Sequence, residues 1–197
     1  MGLFKPAWRS SDPDKRTKWI RGKATDSPED QIILAELATS DANIHVRWAA
    51  AAGIADLDIL AQVLADIARN HDVYNHHICL ALIKRVSDQR VLAQIAKSHK
   101  SDSLTDAAVE KVTDLGILND LAKNADFWSV RRHAVGKVLR QELLADIAQN
   151  DQEAPVRQEA VKRLTIQTAL EGIARNDENA RVRWKAVERL TVQAALA

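Results

Sequence analysis

A single cysteine, Cys79, excludes an internal disulfide and any Cys-rich zinc or iron–sulfur site. Charge of one sign is missing as well. With 28 Lys plus Arg against 27 Asp plus Glu, the net charge of +1 gives no global argument for nucleic acid or an anionic membrane. No run approaches the roughly 18 consecutive apolar residues that a membrane-spanning helix needs. Met1-Gly2-Leu3-Phe4-Lys5-Pro6 is followed by no apolar core of a secretory signal, and Pro6 stands where a myristoylation motif wants Ser or Thr. A cytoplasmic protein with no membrane partner is the expectation. Gly and Pro are scarce, at 6 and 4, and the 46% hydrophobic content comes mostly from Ala, Leu, Ile and Val. That composition suits helices joined by short turns.

What the chain does have is repetition. The dipeptide Leu/Ile-Ala begins at Leu37, Ile67, Ile95, Leu121, Ile147 and Ile173, in steps of 30, 28, 26, 26 and 26. A second anchor, at Val86, Val112, Val138, Leu164 and Leu190, recurs every 26 residues. Self-similarity at this period marks units that cannot bury their own apolar face and must stack on their neighbours.

The stretch 141–166 serves as the type unit. Leu143, Leu144, Ile147 and Ala148 form the stripe of a first helix of about 9 residues. Asn150, like Asn70, Asn124 and Asn176, sits three places after the anchor and reads as a left-handed C-terminal cap. A second helix of about 12 residues follows, with Pro155 tolerated in its first turn. At the helical advance of about 100° per residue, its Val156, Ala160, Val161 and Leu164 fall on one side of the axis and make one buried face. The units run over 29–56, 57–88, 89–114, 115–140, 141–166 and 167–192, after a degenerate cap at 8–26 in which Trp19 and Ile20 replace Ala-Val. Residues 193–197 match the opening of a further first helix. The expected architecture is all-α, a single α-solenoid with a right-handed superhelical twist.

Three units share an Asp five places before a Val and an Arg directly after it: Asp41/Val46/Arg47, Asp151/Val156/Arg157 and Asp177/Val182/Arg183. This pattern resembles the inter-helix turn of HEAT repeats, and the resemblance covers residues 29–192. It implies a structural ladder of Asp and Arg side chains along the stack. The short unit is also similar to the leucine-rich repeat variant family, although no cysteine-bound cluster carries over. The middle departs from the pattern, with Val73 and Cys79, then His99 and Thr105, and Ala125 in place of Asp before Arg131. An exposed ladder pair contributes only about 0.2–1 kcal/mol, so the loss reads first as drift in redundant positions; lost twice running, it otherwise points to a softer joint at roughly residues 70–110 or a bend in the superhelix.

On the second helix, offsets +2, +3 and +6 from the Val point away from the core, and in paired-helix solenoids they line the concave surface. The patch Trp48, Ala49, Ala52, Gly53, Leu80 and Ala81, with Arg132 at its basic rim, is the candidate partner-binding site for a protein or peptide segment. Trp184 is expected to pack or cap an end, and Phe127 and Trp128 to pack in their turn. Six histidines between His45 and His133 do not show converging metal-ligand spacing, so neither a metal nor a cofactor is expected. Two basic clusters, Lys15, Arg16, Lys18, Arg21 and Lys23, and Arg131, Arg132, Lys137 and Arg140, would need alignment along one track to hold phosphates.

These readings point to a non-enzymatic binding scaffold. A nucleic-acid-binding solenoid is the alternative. So is an enzyme resembling the HEAT-like glycosylases that excise alkylated bases, built on Trp48, Asp106 and Arg132, although that rests on fold analogy. A third alternative is an accessory subunit of a larger assembly. Neither the partner's identity nor an oligomeric state follows from the sequence.

Overall fold

In the computed structural model, residues 6–22, 27–69, 79–98 and 102–196 are described, and all their regular structure is helical. A 3₁₀ turn, η1 (Ala7–Arg9), precedes α1 (Pro13–Arg21), α2 (Pro28–Ser40), α3 (Ile44–Gly53) and α4 (Leu57–Arg69). Then come α5 (79–83 among the described residues), α6 (Gln89–Ser98) and α7 (Asp102–Lys111). The series continues through α8 (Leu115–Asn124), α9 (Trp128–Val135), α10 (Gln141–Asn150), α11 (Ala154–Arg163), α12 (Gln167–Asn176) and α13 (Ala180–Leu196). No described helix is long and apolar enough to cross a membrane.

Helix contacts divide the chain into two compact units, residues 1–99 and 100–197. In the second unit, α8–α9, α10–α11 and α12–α13 form hairpins. The first helices pack on each other, α10 on α12, and the second helices do likewise, α7 on α9, α9 on α11 and α11 on α13. In the first unit α2 pairs with α3, α1 packs on α3, and α2, α4 and α6 pack in sequence. A hairpin of two ten-residue helices is marginal alone, so these packed faces supply its stability.

The core follows the periodic positions. Val156, Ala160, Val161 and Leu164 are all fully buried, as are Ala134 and Val135 one unit earlier. Helix lengths differ from expectation, however. Both helices of the type unit have ten residues, because Leu164 is the extended C-cap of α11 and not its last helical residue. Leaving the helix there lets Leu164 turn into the core and starts the next hairpin at once.

The asparagines are not left-handed caps. Asn124, Asn150 and Asn176 are the last helical residues, and the caps are Ala125, Asp151 and Asp177, all with extended backbone. Asn124 Nδ2 and Asn150 Nδ2 instead donate to Asp120 and Asp146 one turn back, at 2.9 and 2.8 Å. A right-handed helix followed directly by an extended residue makes a sharper corner than a left-handed cap would. Asn70 lies outside the described residues. At the C-terminal end, residues 193–196 continue α13 instead of opening a new helix.

Cys79 is buried on α5, and desolvation pushes its thiol up to about 12. At pH 8 only about one such thiol in ten thousand is the reactive thiolate. Alkylation of the native protein should therefore proceed only through opening, so its rate should rise steeply at urea concentrations that unfold the first unit. Labelling at the rate of a free thiol in native buffer would contradict the burial.

Candidate functional site

The ladder is the most regular polar feature of the structure, and its ion pairs run between successive units along the stack. Arg16, Arg131 and Arg157 each bridge two successive hairpins. Arg157 Nη1 donates to Asp151 O in its own unit at 2.9 Å, while Nε and Nη2 donate to both carboxylate oxygens of Asp177 in the next, at 2.8 and 3.0 Å. Arg131 does the same with Ala125 O and Asp151, and Arg16 with Ser10 O and Asp41. The partner of Asp151 is thus Arg131 and neither Arg157 nor Arg183. The local acceptor is a backbone carbonyl, so Ala125 and Ser10 serve where the Asp is absent. Arg47 and Arg183 make the equivalent bonds to Asp41 O and Asp177 O.

The carboxylates have a second task. Asp41, Asp151 and Asp177 accept from the N–H groups of Asn43, Glu153 and Asn179, two residues on, which folds the tight turn between the helices. These pairs are not exposed: the Arg157 and Asp177 side chains each retain 5% of their accessible surface. Hydrogen bonding to the partner carboxylate raises the pKa of both Arg131 and Arg157 above the ordinary guanidinium value.

Read across units, the departures in the middle of the chain become pairs. Thr105 stands at the Arg position of one unit and Ala125 at the Asp position of the next, so both partners of that rung are replaced together. Both are buried. Val73 and His99 lie outside the described residues, as do His71, His76 and His77, so the expected soft joint at residues 70–110 is described only in part.

A second ladder went unread in the sequence. Arg85, Lys111, Lys137, Arg163 and Arg189 each precede the second anchor, at a spacing of 26. Arg85 donates to Ala51 O, Ala52 O and Ile54 O, at the end of α3. Lys137 Nζ reaches Val109 O, Glu110 O and Val112 O at 3.0, 2.6 and 2.7 Å, and Arg163 and Arg189 reach Val138 O and Leu164 O. Arg85, Lys137, Arg163 and Arg189 each meet the negative end of a neighbouring second helix. Lys137→Met should cost about 1.5–3 kcal/mol in urea unfolding of the second unit, because it strips a charged donor from three carbonyls. A loss below about 0.5 kcal/mol, the usual size of a surface effect, would mean that water replaces the ammonium freely.

No family model, curated protein or solved structure matches the chain.

The exposed faces carry the candidate site. Trp48, at offset +2 on α3, is 44% exposed, and Ala49 and Ala52 beside it are half-buried and exposed. Leu80 and Ala81 on α5 are half-buried, and the Arg85 bonds tie the end of that helix to the end of α3. Gly53 does not line this patch. At offset +7 it returns to the core side, where an added Cβ would stand 3.5 Å from Leu34 and 3.7 Å from Ile20. Arg132, exposed on α9, belongs to the second unit.

Trp184, the same repeat position as Trp48, is not packed: it is 64% exposed, with Lys185 Nζ 5.8 Å from its ring centre. Trp128, expected to pack in its turn, is 40% exposed at the start of α9. The enzyme trio is also redistributed, since Asp106 meets His133 Nδ1 at 3.0 Å. Of the two basic clusters, Arg16 and Arg131 are committed to the ladder and Lys137 to carbonyls, while Lys23 lies outside the described residues. No group of three His, Cys, Asp or Glu among the described residues converges as metal ligands would.

Near the chain start a cleft of about 610 Å³ lies between η1 and α2, lined by Trp8, Arg9, Arg16, Glu36 and Ser40 among others. Smaller clefts recur at the corresponding place in the second unit, one lined by Lys123, Asp146 and Asn150. There the Lys123 ammonium, at 2.7 Å, and then the Asn150 amide hold the Asp146 carboxyl below its ordinary pKa.

Proposed function

We propose that this chain is a HEAT-like α-solenoid, a right-handed superhelix that acts in the cytoplasm as a non-catalytic scaffold for a protein or peptide segment. The carrying observation is that Trp48 and Trp184, at one repeat position on second helices joined to ladder arginines, leave 44% and 64% of their surface in solvent. A large aromatic on a rigid helix loses little entropy on binding and gains its whole apolar area, which is why tryptophan dominates interface hot spots. The partner contacts are Trp48, Ala49, Ala52, Leu80 and Ala81. Arg132 would serve as a rim charge for a partner on the second unit.

The nucleic-acid alternative draws less support, because three of its basic residues already hold internal acceptors. Retention of cell proteins on immobilised full chain, with nuclease present, tests the proposal. Trp48→Ala should weaken a specific protein by about 2 kcal/mol, roughly thirtyfold, without changing the unfolding midpoint. Arg132→Glu should instead change the association rate and its salt dependence. Loss of all retention on nuclease treatment, or an unchanged set on Trp48→Ala, would overturn the reading.

A further inference from the structure

On the second helices of the first unit, charge on the exposed face is largely of one sign. Arg16 and Arg47 hold the same ladder position, donating to Ser10 O and Asp41 O six residues back. That register sets Lys18 and Arg21 of α1 level with Ala49 and Ala52 of α3, and Leu80 and Ala81 of α5 level with Trp48 and Ala49. α1 packs on α3, and Arg85 ties the end of α5 to the end of α3. The face therefore runs from a cationic row on α1 onto an uncharged floor of Trp48, Ala49, Ala52, Leu80 and Ala81. Lys18 and Arg21 are exposed, and their side chains meet no acceptor among the described residues. The only carboxylate described on these three helices is Asp14, a turn before Lys18 at the start of α1.

From this arrangement we infer that the segment received at Trp48 is acidic. It is an extended stretch that seats one aliphatic side chain on Trp48 and Leu80 and, about two or three residues away, gives one or two carboxylates to Lys18 and Arg21. The inference rests on the reading of Trp48 as a partner anchor. Neighbouring helix axes lie about 8–10 Å apart and an extended chain advances about 3.3 Å per residue, which sets that spacing. The sign of the rim selects against a basic segment. A nucleic acid fits less well, because its phosphates repeat along the whole strand. Beyond α1 they would lie on methyl groups and an indole, with no cation to meet them.

Three short Gly-Ser probes, each with one leucine preceded at that spacing by Asp-Asp, Ser-Ser or Lys-Lys, test the inference on the full chain. Read by the indole N–H shift of Trp48 and by fluorescence anisotropy, the acidic probe should bind roughly fivefold or more tighter than the neutral one, as two exposed ion pairs allow. The gap should close at high salt. Lys18→Glu/Arg21→Glu should invert the order in favour of the Lys-Lys probe, with an unchanged circular dichroism spectrum, and Trp48→Ala should weaken every probe. Neutral and acidic probes of equal affinity, both weakened by Trp48→Ala, would overturn the charge assignment while leaving the anchor in place. Binding indifferent to Trp48→Ala would remove the anchor and the inference with it. Absence of any binding by the acidic probe would overturn the inference too. An oligothymidylate that displaces the acidic probe and binds more tightly would give the face to nucleic acid, with the same result.

Discussion

Arg157→Ala should destabilise the second unit by about 3–5 kcal/mol, the range found when one partner of a buried ion pair is removed. The truncation leaves the Asp177 carboxylate, with 5% of its surface exposed, holding only the N–H of Asn179. It also frees the carbonyls of Asp151 and Gln152, which Arg157 Nη1 satisfies at 2.9 and 3.2 Å. Because the charge is buried, added salt should restore little. Urea unfolding followed by circular dichroism measures the loss, and a change below about 1 kcal/mol would place the pair with ordinary surface bridges. The double variant Arg157→Met/Asp177→Leu should recover much of the deficit, since an apolar pair of similar volume has no desolvation cost. At the equivalent positions one rung earlier the chain carries the uncharged residues Thr105 and Ala125, both buried.

The second large effect separates two leucines at one repeat position. Leu164→Ala should cost about 2–5 kcal/mol, as for a fully enclosed leucine whose cavity cannot collapse. Leu164 is 0% exposed and sits in extended backbone between α11 and α12. Leu190→Ala should cost clearly less, about 1.5 kcal/mol or below, because Leu190 lies inside α13 and is only half-buried. Equal costs for the two would mean that Leu190 is covered as completely as Leu164.

The periodic apolar residues were sufficient to specify helices, hairpins and core. Val156, Ala160, Val161 and Leu164 share one face at helical spacing, and no tertiary information is needed to see that they must be buried. Exposure of Trp48 was legible for the same reason, since its angle opposes that face. The second basic ladder was legible too. It stands directly before the second anchor, although a lone cation in a helix ordinarily means a solvated surface.

Other features depended on which repeat faces which. Whether Asp151 pairs with Arg131 or Arg157 is a question of neighbouring hairpins, and the spacing within a unit is silent on it. The same holds for the strength of the pair, because burial decides whether an ion pair contributes tenths of a kilocalorie or several. Residues 190–196 make the point most directly, since five of the seven match residues 164–170, which leave α11 and open α12, yet they remain one helix. Sequence determined the repeat, its helices and its buried face, because periodicity is a local property. Tertiary structure decided the rungs and their burial, because each depends on the hairpin packed alongside.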